Sequence, residues 1–157
     1  MNIEKNLVNL VYYISKISDS SIVQERIRNI YDDNYKCLTT KELYLKQLCD
    51  SVKYLFNNIN QVFDNAIITK SYFLLTNEIL DKEITKKIID EYYKNIDEES
   101  HSLAALLHLH IINKVKKNGI EFAFLVSNYI MLKKKRWFIM PYAYCQREYK
   151  ESIESND

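Results

Sequence analysis

Ile112-Asn113-Lys114-Val115-Lys116-Lys117-Asn118-Gly119 is a polar turn that holds the single glycine of the chain. On both sides of it lie segments that are apolar nearly all the way round. Upstream, Ser102-Leu103-Ala104-Ala105-Leu106-Leu107-His108-Leu109-His110-Ile111-Ile112 puts apolar side chains on every face of a helix. Downstream, Phe122-Ala123-Phe124-Leu125-Val126 and Tyr129-Ile130-Met131-Leu132 do the same. A helix apolar on all faces is a buried helix. Residues 101–112 and 120–132 are therefore expected to be the most buried helices, packed on each other with the 113–119 turn at one end.

Working outward, the remaining chain supplies amphipathic helices to cover that pair. Ile3, Leu7, Leu10, Ile14 and Ile17 recur at helical spacing and stop near Ser18-Asp19-Ser20-Ser21. Ser21 followed by Gln24 has capping-box spacing for a second helix with Ile22, Ile27 and Ile30, and Thr39 followed by Glu42 repeats the signal. The third helix is expected to carry Leu45, Leu48, Val52, Leu55, Ile59 and Val62 on one stripe. The pattern breaks near Asp64-Asn65, after which Thr69 can cap a helix with Tyr72, Phe73, Leu75 and Ile79. Ile84, Ile88, Tyr92 and Ile96 mark the next, and Asp97-Glu98-Glu99-Ser100 suits the positive end of the central helix. Trp137-Phe138-Ile139-Met140 reads as extended, followed by Pro141 and a closing helix with Tyr149 and Ile153.

Composition agrees with an all-α class. One glycine and one proline in 157 residues leave little of the turn chemistry that hairpins require. A chain of this length suits one domain burying about two thirds of its unfolded surface, and 1–157 is read as a single helical domain. The 13 tyrosines are as compatible with an AT-rich coding sequence as with selection for binding. Cys37, Cys49 and Cys145 are odd in number and form no Cys-x-x-Cys pair, which favours reduced, buried thiols in a cytoplasmic setting over disulfides or zinc. Glu4 and Lys5 interrupt a signal-like start, and no uncharged apolar run approaches the roughly 18 residues that span a bilayer. A soluble protein with no membrane partner is expected.

Charge is unevenly distributed. Residues 1–100 hold 13 Lys+Arg against 16 Asp+Glu, and residues 101–157 hold 9 against 5. Lys114, Lys116 and Lys117 mark one end of the second central helix and Lys133, Lys134, Lys135 and Arg136 the other, about 20 Å apart at 1.5 Å per residue. Solvation and dipole matching account for such groups, with contact to an acidic protein or a phosphate backbone as alternatives. Trp137 is either core or an exposed anchor. His108 and His110, two apart, face opposite sides of a helix. His101 shares the His108 face without a cysteine or carboxylate at ligand spacing, so no metal site is assigned.

The order of elements and several local matches resemble the Fic (filamentation induced by cAMP) family. Ser15-Lys16-Ile17-Ser18-Asp19-Ser20 occupies the place of that family's Ser-x-Ile-Glu-Gly-Asn type segment. His101 through His108 looks like a loose version of its approach to the active site. Asn128-Tyr129-Ile130-Met131-Leu132 resembles its later Asn-Tyr helix, and Trp137-Phe138 through Tyr149 and Ile153 its terminal basic-aromatic segment. The family's diagnostic run, His-Pro-Phe-x-(Asp/Glu)-Gly-Asn-Gly-Arg, implies a histidine base and a phosphate-cradling turn at a helix N-terminus. Laid over that run, this chain has Asn113 at the histidine, Lys114 at the proline and Val115 at the phenylalanine. Only Asn118-Gly119 remains of Gly-Asn-Gly-Arg, with one residue deleted, and Ile120 or Glu121 stands at the phosphate-binding arginine. Ile79-Leu80-Asp81-Lys82-Glu83-Ile84 leaves no room for the family's target-docking flap.

The resemblance implies a compact Fic-like helical domain without the catalytic base, holding no cofactor and acting on another protein as partner. A small inhibitor or antagonist of the sort mobile elements encode is the favoured form. A divergent AMP transferase and a nucleic-acid-binding module are the alternatives. The expected partner-binding residues are Lys116, Lys117, Asn118, Gly119, Lys133, Lys134, Lys135, Arg136 and Trp137.

Overall fold

Seven α-helices and no strand make up the residues described by the computed structural model, 3–18, 21–32, 36 and 39–134. Their packing divides into two units, the first reaching to Lys46 and the second starting at Gln47, within the third helix. The extended Trp137–Met140 segment, the closing helix, Cys37 and Cys145 lie outside the described residues.

In the first unit, α1 (Ile3–Ser18) packs on α2 (Gln24–Tyr31). Leu7, Leu10, Val11, Ile14 and Ile17 are buried, as their spacing requires, together with Ile27, Ile30 and Tyr31 of α2. The Gln24 side-chain amide donates to the Asn9 side chain. The Ser21–Gln24 capping box does not form. The helix starts late, with Val23 as its extended N-cap and no side-chain cap, so Ser21 is too far back to reach the first turn. Its hydroxyl accepts from Lys41 Nζ at 2.9 Å instead.

The Thr39 cap does form: Thr39 Oγ1 accepts from the Glu42 amide at 3.1 Å and opens α3 (Thr40–Asn57). Glu42 also accepts from Arg26 at 2.9 Å. Leu45, Leu48, Val52 and Leu55 have no accessible surface, and Cys49 is a buried thiol among them. The stripe is shorter than the sequence pattern implies. The Asn58 side chain donates to the Tyr54 carbonyl at 2.7 Å and closes the helix, so Ile59 and Val62 fall beyond it and Val62 is 68% exposed.

The second unit contains α4 (Asn65–Thr76), α5 (Lys82–Lys94), α6 (Ser100–Lys114) and α7 (Gly119–Lys133). Asp64, not Thr69, caps α4, accepting from the Ile67 amide at 3.1 Å; Thr69 lies inside the helix. An aspartate in extended conformation just before the first turn outcompetes a threonine four residues in. Asn77, in the left-handed conformation, ends α4, and Ile79 lies past that end on the surface. Asp81 caps α5 through the Glu83 and Ile84 amides at 2.9 and 3.2 Å. α6 begins after the acidic run 97–99, although Glu99 makes no side-chain cap.

α7 is the buried helix the sequence describes, with every residue from Glu121 to Met131 buried. α6 pairs with it closely but is not buried all round. Leu103, Ala104, Leu107 and Ile111 point inward, whereas His101, Ser102 and Ala105 are exposed and Leu109 is 52% exposed. An apolar side chain on the surface is common, because proteins lack enough polar surface to cover themselves. Aromatic rings complete the core: Phe63 meets Tyr92 at 4.6 Å and Tyr129 at 5.7 Å, and Tyr72 meets Phe122 edge-on at 5.1 Å.

This one-sided burial of α6 has a direct test in urea unfolding. Leu107→Ala is expected to destabilise by about 2–5 kcal/mol. Leu109→Ala, two residues away, is expected to change stability by less than about 0.5 kcal/mol.

Candidate functional site

The two ends of α7 gather most of the residues singled out in the sequence. At its N-terminal end the chain leaves α6 at Lys114, buries Val115, exposes Lys116 and Lys117 and turns at Asn118. The turn is tied to α4 from two directions. Tyr72 donates its hydroxyl to the Lys117 carbonyl at 2.8 Å, and Lys117 Nζ pairs with the Glu78 carboxylate. Burial raises the Tyr72 pKa, with the negative charge of Glu78 adding to it.

Asn118, not Gly119, takes the left-handed conformation, with φ 55°. Gly119 is the first residue of α7. A Cβ there would meet Val115 Cβ at 3.8 Å and the Ile111 carbonyl at 3.9 Å, ordinary contact distances. The Asn118 side-chain amide donates to the Glu121 carboxylate, and Glu121 is only 8% exposed. The first turn of a helix offers unbonded N–H groups and the positive end of its dipole. Here the anion nearest to that end is a carboxylate of the chain itself. Asn113 stands exposed in the last turn of α6.

At the C-terminal end, Lys133 Nζ donates to the Ile59 carbonyl at 3.0 Å and also to that of Gln61, while lying over the Tyr129 ring at 5.7 Å. Lys134 Nζ donates to the Ile96 carbonyl at 2.9 Å. The two ammonium groups thus serve backbone oxygens of the α3–α4 and α5–α6 connections, a role that no local pattern in the sequence signals. Burial lowers the Lys133 pKa. Tyr129 donates to the Asn58 carbonyl at 3.2 Å, and burial, followed by nearby Tyr92 and Asp64, pushes its pKa up to about 12. Lys135, Arg136 and Trp137 lie outside the described residues.

The basic groups at Lys116–Lys117 and at Lys133–Lys134 therefore stay at opposite ends of α7 and form no single patch. His101 is exposed, and among the described residues no three His, Cys, Asp or Glu side chains come together as metal ligands. No described helix is long and apolar enough to cross a membrane.

No family model matches this chain, and no curated protein matches it in sequence. In structure it is similar to a Fic-domain-containing signaling protein from Bacteroides thetaiotaomicron VPI-5482. The match covers 96% of this chain and 71% of that one, with a TM-score of 0.76 and 11% sequence identity. The fold is all-α and Fic-like. Residues 77–81 alone connect α4 to α5.

The conformations at the turn set the outcome of substitution. Gly119→Ala is expected to keep or raise stability, by up to about 1 kcal/mol, because a helical glycine is entropically costly and an added Cβ meets its neighbours only at ordinary contact distances. Asn118→Val is expected to lose about 1–2 kcal/mol by forcing a branched side chain into the left-handed region. Thermal unfolding of the two variants measures both.

Proposed function

We propose that this chain is a Fic-like domain that has lost nucleotide transfer and works by binding another protein. The observation that carries the reading is Glu121, a carboxylate almost without accessible surface in the first turn of α7. In the family resembled, that helix start cradles phosphate with an arginine. A buried anion held there by Asn118 opposes a second anion. Asn113, aligned with the family's histidine, has an amide that does not take up a proton near neutral pH. Two independent requirements of the chemistry, a base and a cationic phosphate clamp, are replaced by groups that do not meet them.

Partner binding then falls to the exposed Lys116 and Lys117 and the half-buried Asn118 at the turn, with Lys133 through Trp137 as the second proposed region. An inhibitor or antagonist role, of the sort mobile elements encode against host machinery, is the form we favour. The Fic-like fold itself is the one observation that favours the alternative, a divergent AMP transferase. The exposed Lys114 and Lys116 would serve a nucleic-acid module, but a near-neutral chain makes a poor phosphate footprint.

Incubation with labelled ATP and candidate target proteins, alongside calorimetric titration with ATP, tests the reading. No heat of binding and no transferred label are expected. Robust transfer that disappears in Asn113→Ala would establish the transferase instead. Titration with DNA and RNA is expected to give weak binding erased at physiological salt. Sub-micromolar binding that persists there would favour the nucleic-acid module.

A further inference from the structure

We propose that the outer face of α6 is a self-association surface, on which a second copy of this chain packs α6 against α6, antiparallel and about a two-fold axis, whatever the turn after the helix binds.

α6 directs Leu103, Leu107 and Ile111 inward, and its opposite face reaches water. At helical spacing, Ser102, Ala105, Leu106, Leu109, Ile112 and Asn113 form one stripe about 17 Å long. All six are exposed or half-buried, and Leu109 is 52% exposed. From Ser102 to Asn113 the chain has no lysine, arginine, aspartate or glutamate. The water-facing side of α5 shows the ordinary alternative, with Lys82, Glu83, Lys86, Lys87, Asp90 and Lys94 all exposed on it. One exposed leucine means little by itself. A whole helix face without charge is a surface that loses little by leaving water.

Charge decides what covers the stripe, because its two ends carry opposite signs. At the N-terminal end Asp97, Glu98 and Glu99 are exposed, and Lys134, which donates to the Ile96 carbonyl, offsets one of the three. At the C-terminal end Lys114 and Lys116 are exposed, while Lys117 is paired with Glu78 and Glu121 is buried. A copy laid parallel would set acid against acid and base against base. A copy laid antiparallel sets each acidic run against the lysines of the other and also opposes the two helix dipoles. The register is self-complementary. About a two-fold axis level with Leu107, Leu109 of each copy meets Ala105 of the other, a large side chain against a small one. Glu98 and Lys116 stand equally far along the chain from that axis, on opposite sides of it. The same patch thus serves both copies, as a closed two-fold pair requires. The stripe is short, so the pair is weak and its population rises with concentration.

Sedimentation equilibrium of the full chain at low salt, from about 10 to about 500 μM, tests this. The wild type is expected to pass from monomer toward dimer across that range, and salt at about 0.5 M is expected to weaken the dimer several-fold. Leu109→Lys is expected to hold the chain monomeric throughout. Two charge-reversed chains complete the test, Asp97→Lys with Glu98→Lys and Lys114→Glu with Lys116→Glu. Each alone is expected to dimerise at least about tenfold more weakly, and an equimolar mixture is expected to recover dimer, since every acidic end again meets a basic one. A wild type that stays monomeric overturns the proposal and leaves the stripe to a different protein. A dimer that survives Leu109→Lys overturns it, as does a mixture of the reversed chains that associates no better than either alone.

Discussion

A helix with no solvent-facing side has to be enclosed, and α7 is such a helix. From Glu121 to Met131 no side chain reaches the surface appreciably. Its polar residues are satisfied close to home, Ser127 and Asn128 each donating to the Phe124 carbonyl, at 3.2 and 2.8 Å. The enclosure comes from α6 along one side and from the rings of Phe56, Phe63 and Tyr72 on others. Removing water from that much apolar surface is the driving force that assembles the second unit.

Enclosure leaves the helix ends as the places where polarity must be resolved. At the start, Asn118 turns the chain and Glu121 answers the positive end of the dipole, while Tyr72 and Glu78 hold Lys117. At the end, Lys133 and Lys134 supply donors to carbonyls of two irregular connections. The Glu121 carboxylate, held by Asn118, helps to close the turn.

The same enclosure gives the histidines their character. On an exposed helix His108 and His110 would be ordinary surface groups. Set between α6 and its neighbours, both have their pKa lowered by burial.

Side-chain character and spacing alone determined the all-α class, the pairing of α6 and α7 around a polar turn, the burial of α7, and the Thr39 cap. Each follows from interactions among residues close in the chain. Tertiary structure decided what depends on distant neighbours. Leu109 and Leu107 are chemically identical, and only the position of α7 makes one core and the other surface. Ser21 had the right spacing for a cap but lost to a helix starting at Gln24. Lys133 and Lys134 looked solvated because their carbonyl partners, at 59–61 and 96, lie more than thirty residues away in segments with no pattern of their own. Local periodicity reports which faces avoid water, whereas the partner that covers a face or accepts a hydrogen bond is set by the packing of the whole unit.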